Sequence, residues 1–232
     1  MIDITWLGHS FFQLKLPGGE VLLLDPWTGN PKFPSGHSFP RVDAILVSHG
    51  HFDHTASVAA LAGESGAKVV GIYEVCQYFK SQGVAEIAPM NKGGSQMVAG
   101  VNVTMTHALH SSGVEDENGR LVYAGDAAGY VLRFSDGRAL YFAGDTAVFS
   151  DMALIERLYK PELAILPIGD LFTMGPEEAA LACEMLKPER VIPMHYGTFD
   201  ALTGTPEALA ERIRNAAGAR VWTLTPGQPV SW

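Results

Sequence analysis

The segment Ala44-Ile45-Leu46-Val47-Ser48-His49-Gly50-His51-Phe52-Asp53-His54 joins a short apolar run to three imidazoles and a carboxylate within six positions. A run of four apolar residues bounded by polar ones reads as a buried strand. Neutral imidazole and carboxylate are the ligands that borderline divalent metals such as zinc prefer. The cluster therefore sits where a strand runs out into a loop, and side chains leaving such an end can converge on one point. Alternate residues of an extended segment share a face, so His49 and His51 can grip one ion. Asp53 and His54, past the turn, can face a second. The plain alternative is a His-rich surface loop that binds nothing, and the rest of the chain speaks against it.

A metal site draws ligands from several segments, and three more apparent strand ends supply them. The alternating run Val101 to Thr106 precedes His107-Ala-Leu-His110-Ser-Ser. The run Ala139 to Ala143 precedes Gly144-Asp145-Thr146, and Val191-Ile192-Pro193-Met194 ends in His195-Tyr196-Gly197-Thr198. Each is an apolar strand delivering a metal-capable side chain into a loop.

In that order, His-x-His-x-Asp-His, then His, then Gly-Asp-Thr, then His, the chain resembles the metallo-β-lactamase superfamily. Trp6-Leu7-Gly8-His9-Ser10, Leu24-Asp25-Pro26-Trp27, Pro167-Ile168-Gly169-Asp170 and Phe172-Thr173-Met174-Gly175-Pro176 extend the likeness. They are similar to the branch of small bacterial and archaeal metal-dependent hydrolases that includes ascorbate-6-phosphate lactonase. The resemblance covers nearly the whole chain, from Ile4 to about Thr205. It implies an α+β fold, a four-layer αββα sandwich of two mixed sheets with outer helices. It also implies that His49, His51 and His110 bind one metal and that Asp53, His54 and His195 bind another. The same resemblance implies that Asp145 bridges both and that Asp53 and Asp145 serve catalysis. Two cations about 3.5–4 Å apart share a water and depress its pKa to about 7, so the implied reaction is hydrolysis by a metal-bound hydroxide. No Ser or Cys triad stands out in the chain. Zinc is the default for His/Asp sites, while manganese or iron accepts the same ligands.

Composition agrees. A chain of 232 residues suits one domain over 1–232, burying roughly 70% of its unfolded surface. No linker, charge run or fixed-period repeat divides it. Met1-Ile-Asp-Ile-Thr-Trp lacks the basic start of a signal peptide, and no stretch approaches the roughly 18 apolar residues of a membrane span. Cys76 and Cys183 lie in helix-like surroundings away from the motifs, which fits a reduced, cytoplasmic protein. Sixteen Lys and Arg stand against twenty-five Asp and Glu, a formal charge of −9. Nucleic-acid binding needs clustered cations, and even Arg212-x-Arg214 sits beside Glu211, so neither nucleic acid nor membrane is an expected partner. A small-molecule substrate is, and self-association stays open for a chain that is 47% apolar.

Ile2–Leu7, Phe11–Leu16 and Val21–Leu24 read as an opening antiparallel meander turning at Pro17-Gly18-Gly19. Ser135-Asp136-Gly137 between Val131–Phe134 and Arg138–Phe142 is a hairpin signal. Helical periodicity covers His54–Ala62, Glu74–Ser81, Met152–Leu158, Glu177–Leu186 and Glu207–Ala216. Thr55 and Thr205 stand as helix starts, with Pro206 suited to a first turn. Strands form an antiparallel group first and then alternate with helices.

Neighbouring residues compete for roles. His107 lies three positions before His110, and the family pattern, which puts the ligand just before Ser-Ser, selects His110. Asp126 imitates Asp145 but reads as a turn residue, and His37 as a solvated loop histidine. His9 divides between a structural role and one near metal or substrate. Asp25, at the end of Leu22-Leu23-Leu24, is either a carboxylate that orients a metal-bound histidine or a turn cap with Pro26. Thr173 and Met174, in a loop bounded by glycines, are candidates to line a pocket, and the loop Trp27–Phe39 for a lid. The expected activity is that of a metal-dependent hydrolase on a small cytosolic ester, lactone or similar substrate. A phosphodiesterase or a metal-binding scaffold or sensor without turnover is the alternative. A flavin-linked diiron protein of the same fold is disfavoured, because those relatives carry carboxylates where this chain keeps His51 and His54.

Overall fold

A computed structural model describes residues 1–116, 118–213 and 218–232. In chain order the strands and helices begin with β1 (Asp3–Trp6), β2 (Phe12–Lys15), β3 (Val21–Leu24), β4 (Ala44–Leu46), α1 (Phe52–Thr55), α2 (Val58–Ser65), β5 (Lys68–Ile72) and α3 (Tyr73–Ser81). There follow β6 (Ile87–Met90), β7 (Ser95–Val98), β8 (Val101–His107), β9 (Gly113–Glu115), β10 (Leu121–Tyr123), β11 (Ala128–Arg133) and β12 (Ala139–Phe142). The last are α4 (Met152–Tyr159), β13 (Leu163–Pro167), α5 (Pro176–Leu186), β14 (Arg190–Met194), α6 (Pro206–Ile213), β15 (Arg220–Val221) and β16 (Pro229–Ser231). The backbone forms two compact units: Met1–Lys92 with Ser111–Ala127 and Leu224–Trp232, and Gly93–His110 with Ala128–Thr223.

The first unit holds a seven-stranded sheet in the order β16-β1-β2-β3-β4-β5-β6, beside the β9–β10 ribbon. Pairing is antiparallel from β16 to β3 and parallel from β3 to β6. The predicted meander is present, with Leu14 opposite Leu22 and the turn closed by Gly19 N–H donating to Leu16 O. The second unit repeats the plan in the order β7-β8-β11-β12-β13-β14-β15, antiparallel from β7 to β12 and parallel from there on. The Asp136-Gly137 hairpin joins β11 to β12, with Val131 opposite Tyr141. Antiparallel pairs therefore precede helical crossovers twice, where the sequence suggested one such change.

The parallel strands are apolar without alternation because both of their faces are covered. Val21 to Leu24, Ala44 to Leu46, Ala139 to Phe142 and Leu163 to Pro167 are buried throughout. Strand direction then decides where chemistry can collect. In the first sheet β1 runs the same way as β3 and β4, since β2 opposes both of its neighbours. In the second, β8 runs with β12, β13 and β14, since β11 opposes both β8 and β12. Within each unit, every segment carrying a candidate ligand leaves its sheet at one edge, the carboxyl ends where open α/β sheets place their sites.

Helix boundaries differ from expectation in one place. The predicted helix His54–Ala62 is two, α1 and α2, broken at Ala56-Ser57. Ser57 turns its N–H to Pro26 O, and its hydroxyl accepts from Thr28 N at 2.9 Å, so the break ties down the loop after β3. Thr55 consequently starts no helix: its hydroxyl donates back to His51 O at 2.8 Å from the last turn of α1. Thr205 does cap α6, accepting from Ala208 N at 3.2 Å. The end of the helix predicted over Glu207–Ala216, and Arg214 with it, lies outside the described residues. Among the described residues no helix is long and apolar enough to cross a membrane.

Gly204 is a point of forced close approach: a Cβ there would fall 1.6 Å from Ile168 O. Gly204→Ala is expected to lower unfolding stability by roughly 2–3 kcal/mol, read from denaturant midpoints, and an unchanged midpoint would show that the loop gives way freely.

Candidate metal centre

The first unit brings together His9, Asp25, His49, His51, Asp53 and His54. Asp25 follows β3 with a positive φ of 46°, which swings its carboxylate back toward the end of β4. One oxygen accepts from Ser48 N at 2.7 Å and the other from Ser48 Oγ at 2.5 Å and from His54 Nδ1 at 2.7 Å. Both side chains of the Asp25–His54 pair are fully buried. Burial pushes the Asp25 carboxyl above its ordinary range, while the bonds from His54 and Ser48 pull the other way. Of the two readings of Asp25, the carboxylate orienting a histidine is the one present, and the turn cap with Pro26 is not.

These bonds determine which ring nitrogens remain for other work. His54 spends Nδ1 on Asp25, and His49 Nδ1 lies 2.9 Å from Ser48 Oγ. The Nε2 of His49 then faces His51 Nδ1 at 2.9 Å, and the Nε2 of His54 lies 3.7 Å from Asp53 Oδ2. Two nitrogen or oxygen ligand atoms on one tetrahedral zinc, each about 2.0–2.2 Å from it, stand about 3.3–3.6 Å apart, so each pair is spaced to share a cation. Ligand atoms of Asp25, His49 and His54 also fall within 4.8 Å of one another.

His9, fully buried, is placed by the same edge. Its Nε2 donates to Asp53 Oδ2 at 2.9 Å, and its ring stands edge-on to Trp27, with centroids 5.4 Å apart. It is thus a partner of Asp53. The Trp27–Phe39 loop is pinned, with Asn30 Nδ2 donating to Leu7 O and Trp27 O. His37 lies in its loop as expected and is half-buried there: its ring meets Phe33 and Phe39 at 5.9 and 5.0 Å, and burial lowers its pKa.

The second unit brings together His110, Asp145 and His195. Asp145 Oδ2 lies 3.0 Å from His195 Nε2 and 3.8 Å from His110 Nε2. Two imidazole nitrogens thus address one carboxylate oxygen. His107, by contrast, is exposed and packs edge-on against Phe149 at 5.2 Å. Asp126 is also elsewhere, in an exposed pair with Lys92 at 3.2 Å. Thr146 binds the two loops: its hydroxyl accepts from Leu109 N at 3.0 Å, and its carbonyl accepts from Met174 N at 3.1 Å. Met174 is fully buried, so contact with a substrate, one of the roles expected of it, is closed to this side chain. Thr173 is half-buried beside it.

Sequence reasoning missed Ser48, Ser57 and Thr146. All three are small hydroxyl residues one to three positions from a candidate ligand, and their only signal is that adjacency.

Residues 21–196 match the family model described as the beta-lactamase superfamily domain. Over 232 residues the chain is 58% identical to a metal-dependent hydrolase of Solibacter usitatus, covering 100% of both. A solved structure of Igni18, a metallo hydrolase of the hyperthermophilic archaeon Ignicoccus hospitalis, is 32% identical, with a TM-score of 0.87 over 99% of this chain and 97% of that one. An isothiocyanate hydrolase from Delia radicum gut bacteria, 19% identical with a TM-score of 0.74 over 99% and 98%, shares the fold. The α+β metallo-β-lactamase fold expected from the sequence is the fold of these neighbours.

The carboxylate that orients a ligating imidazole typically accounts for 10–100-fold in metal affinity. Asp25→Asn, which replaces an acceptor with a donor facing His54 and Ser48, is expected to weaken zinc binding by about that factor in a chelator competition. Unaltered affinity would remove Asp25 from the site.

Proposed function

Since the chain belongs to the metallo-β-lactamase superfamily, among its metal-dependent hydrolases, we propose that it hydrolyses a small ester, lactone or similar substrate at two divalent metal ions, by default zinc. The observation that carries this reading is the pair of bonds by which Asp25 and Ser48 occupy the Nδ1 atoms of His54 and His49. Buried histidines held in one tautomer, each with Nε2 beside another nitrogen or a carboxylate, are arranged as ligands are. Core packing alone would not call for that order.

We assign His49, His51 and His110 to one ion, Asp53, His54 and His195 to the other, and Asp145 to both. A pair of divalent ions would supply a water acidified to about neutral pH and a polarised bond for it to attack. The protein does the rest. His9 holds the Asp53 carboxylate through Oδ2 at 2.9 Å and so fixes that side chain beside His54. His195 Nε2 at 3.0 Å and His110 Nε2 at 3.8 Å converge on one oxygen of Asp145, which suits a bridging carboxylate. Trp27 and Phe52, ring to ring at 5.5 Å, shield the His9 side from solvent. Cys76 and Cys183 are free, buried thiols pushed up to about 12 by burial. They offer no nucleophile at neutral pH, and two unpaired cysteines support a cytoplasmic setting.

Elemental analysis of protein purified without added metal, followed by turnover of lactones, esters, thioesters and phosphodiesters with zinc, manganese or iron restored, tests the reading. Hydrolysis of an ester or lactone is the expected outcome, cleavage of phosphodiesters alone would shift the class, and stoichiometric metal without turnover would favour a binding protein. Asp145→Ala is expected to abolish turnover and loosen both metals, and full activity in that variant would end the bridging assignment.

A further inference from the structure

The second strand of the second unit's parallel group delivers none of the assigned ligands. β13 lies between β12, which ends at Asp145, and β14, which ends at His195. Its own carboxyl end runs into Ile168-Gly169-Asp170-Leu171-Phe172-Thr173-Met174. That loop is tied on both sides. Toward β14, Gly169 approaches so closely that a Cβ would fall 2.0 Å from His195 O and 3.3 Å from His195 Nδ1. Toward β12, Met174 N–H donates to the carbonyl of Thr146, next to Asp145.

What stands between the ties is apolar, exposed and strained. Leu171 is 63% and Phe172 60% exposed. Asp170 and Leu171 are consecutive non-glycine residues with φ of 68° and 57°, a left-handed conformation that costs such residues free energy. The turn is held by Leu171 N–H donating to Asp170 Oδ1 at 2.7 Å and Asp170 N–H to Met174 O at 3.1 Å. Phe199, 40% exposed, stands on the adjoining loop, which Gly204 N–H ties to Gly169 O at 3.3 Å. Strain held in place by surrounding bonds collects at ligand-binding segments, and exposed apolar groups beside buried ligands are otherwise a cost. Charge adds a restriction. The loops 143–151, 168–175 and 195–205 contain no Lys or Arg, so no basic side chain of these segments meets a phosphate or carboxylate.

We infer that Leu171 and Phe172 form the docking platform for an uncharged aryl or alkyl substituent of the substrate, beside His195 and Asp145. This rests on the metal-hydrolase reading and specifies its substrate class: an apolar ester, lactone or related compound instead of a phosphorylated one.

Alkyl hydroxamates chelate divalent metals through a constant head and differ only in their tails, so they separate the two layers of the argument. Titration of zinc-loaded protein with acetohydroxamate through octanohydroxamate is expected to show affinity rising about 50-fold along the series, as for a half-covered hexyl extension. Phe172→Ala should weaken octanohydroxamate about tenfold and leave acetohydroxamate unchanged. Leu171→Gly should lose long-tail affinity likewise while raising Tm by about 2–4 °C, since glycine relieves the left-handed residue. A flat series in the unaltered protein, parallel series in Phe172→Ala, or a lowered Tm in Leu171→Gly would overturn the platform. Failure of acetohydroxamate itself to bind would bring down the metal reading and the platform with it.

Discussion

The buried carboxylate of Asp25 is the constraint from which the first unit's site is built. A charge at that depth is stable only if its acceptor sites are filled, and three donors fill them: Ser48 N, Ser48 Oγ and His54 Nδ1. Removing one partner from such a buried pair typically costs about 3–5 kcal/mol, so the arrangement is kept as a whole or lost as a whole. Its effect is directional. Ser48 is bound through both backbone and side chain, which sets the path of the chain into His49. His54, in α1 and four residues before α2 begins, is held against the end of β3, and α1 is oriented with it.

The two units deliver carboxylates by the same device. In each sheet the change from antiparallel to parallel pairing falls at one strand, β3 in the first and β12 in the second. The residue that follows that strand closely is Asp25 in one case and Asp145 in the other. Both are buried and both meet imidazoles, but their duties differ. Asp25 is saturated by protein donors and positions His54, whereas Asp145 meets His195 and His110 through a single oxygen. A carboxylate fully committed to protein donors cannot also bind an ion well, and this separates the orienting aspartate from the proposed bridging one without appeal to motif.

Much of this was legible in the sequence because it depends on period and order. Apolar runs that end in histidine or aspartate identified the strand ends correctly, and Asp136-Gly137 identified its hairpin, since both signals are local. The helix over 54–62 was misjudged for a nonlocal reason: Ser57 breaks it to bond Pro26 and Thr28, thirty residues earlier in the chain. The half-burial of His37 likewise depends on its aromatic neighbours Phe33 and Phe39, a cluster that no spacing rule distinguishes from an open loop. Asp25 and His9 could be named but not assigned, since their roles depend on which side chain lies opposite after folding. Met174 illustrates the reverse, a residue whose place in a motif suggested substrate contact while its burial gives it to the core.

The proposed ligand set bears on the reaction more than on the substrate, because its groups leave the ends of buried strands. β13 is free of that duty. Its carboxyl end can vary in length and polarity without disturbing Asp145 or His195, provided Gly169 still admits the His195 backbone and Met174 still reaches Thr146. The Asp170 carboxylate accepts from Leu171 N–H to hold the turn, and its apolar neighbours Leu171 and Phe172 stand exposed at a cost in backbone strain. A loop selected only for stability would place glycine at position 171 and a polar residue at 172. That it does neither, in the segment between the strands that lead to Asp145 and His195, is the physical reason for the proposal that substrate choice lies there.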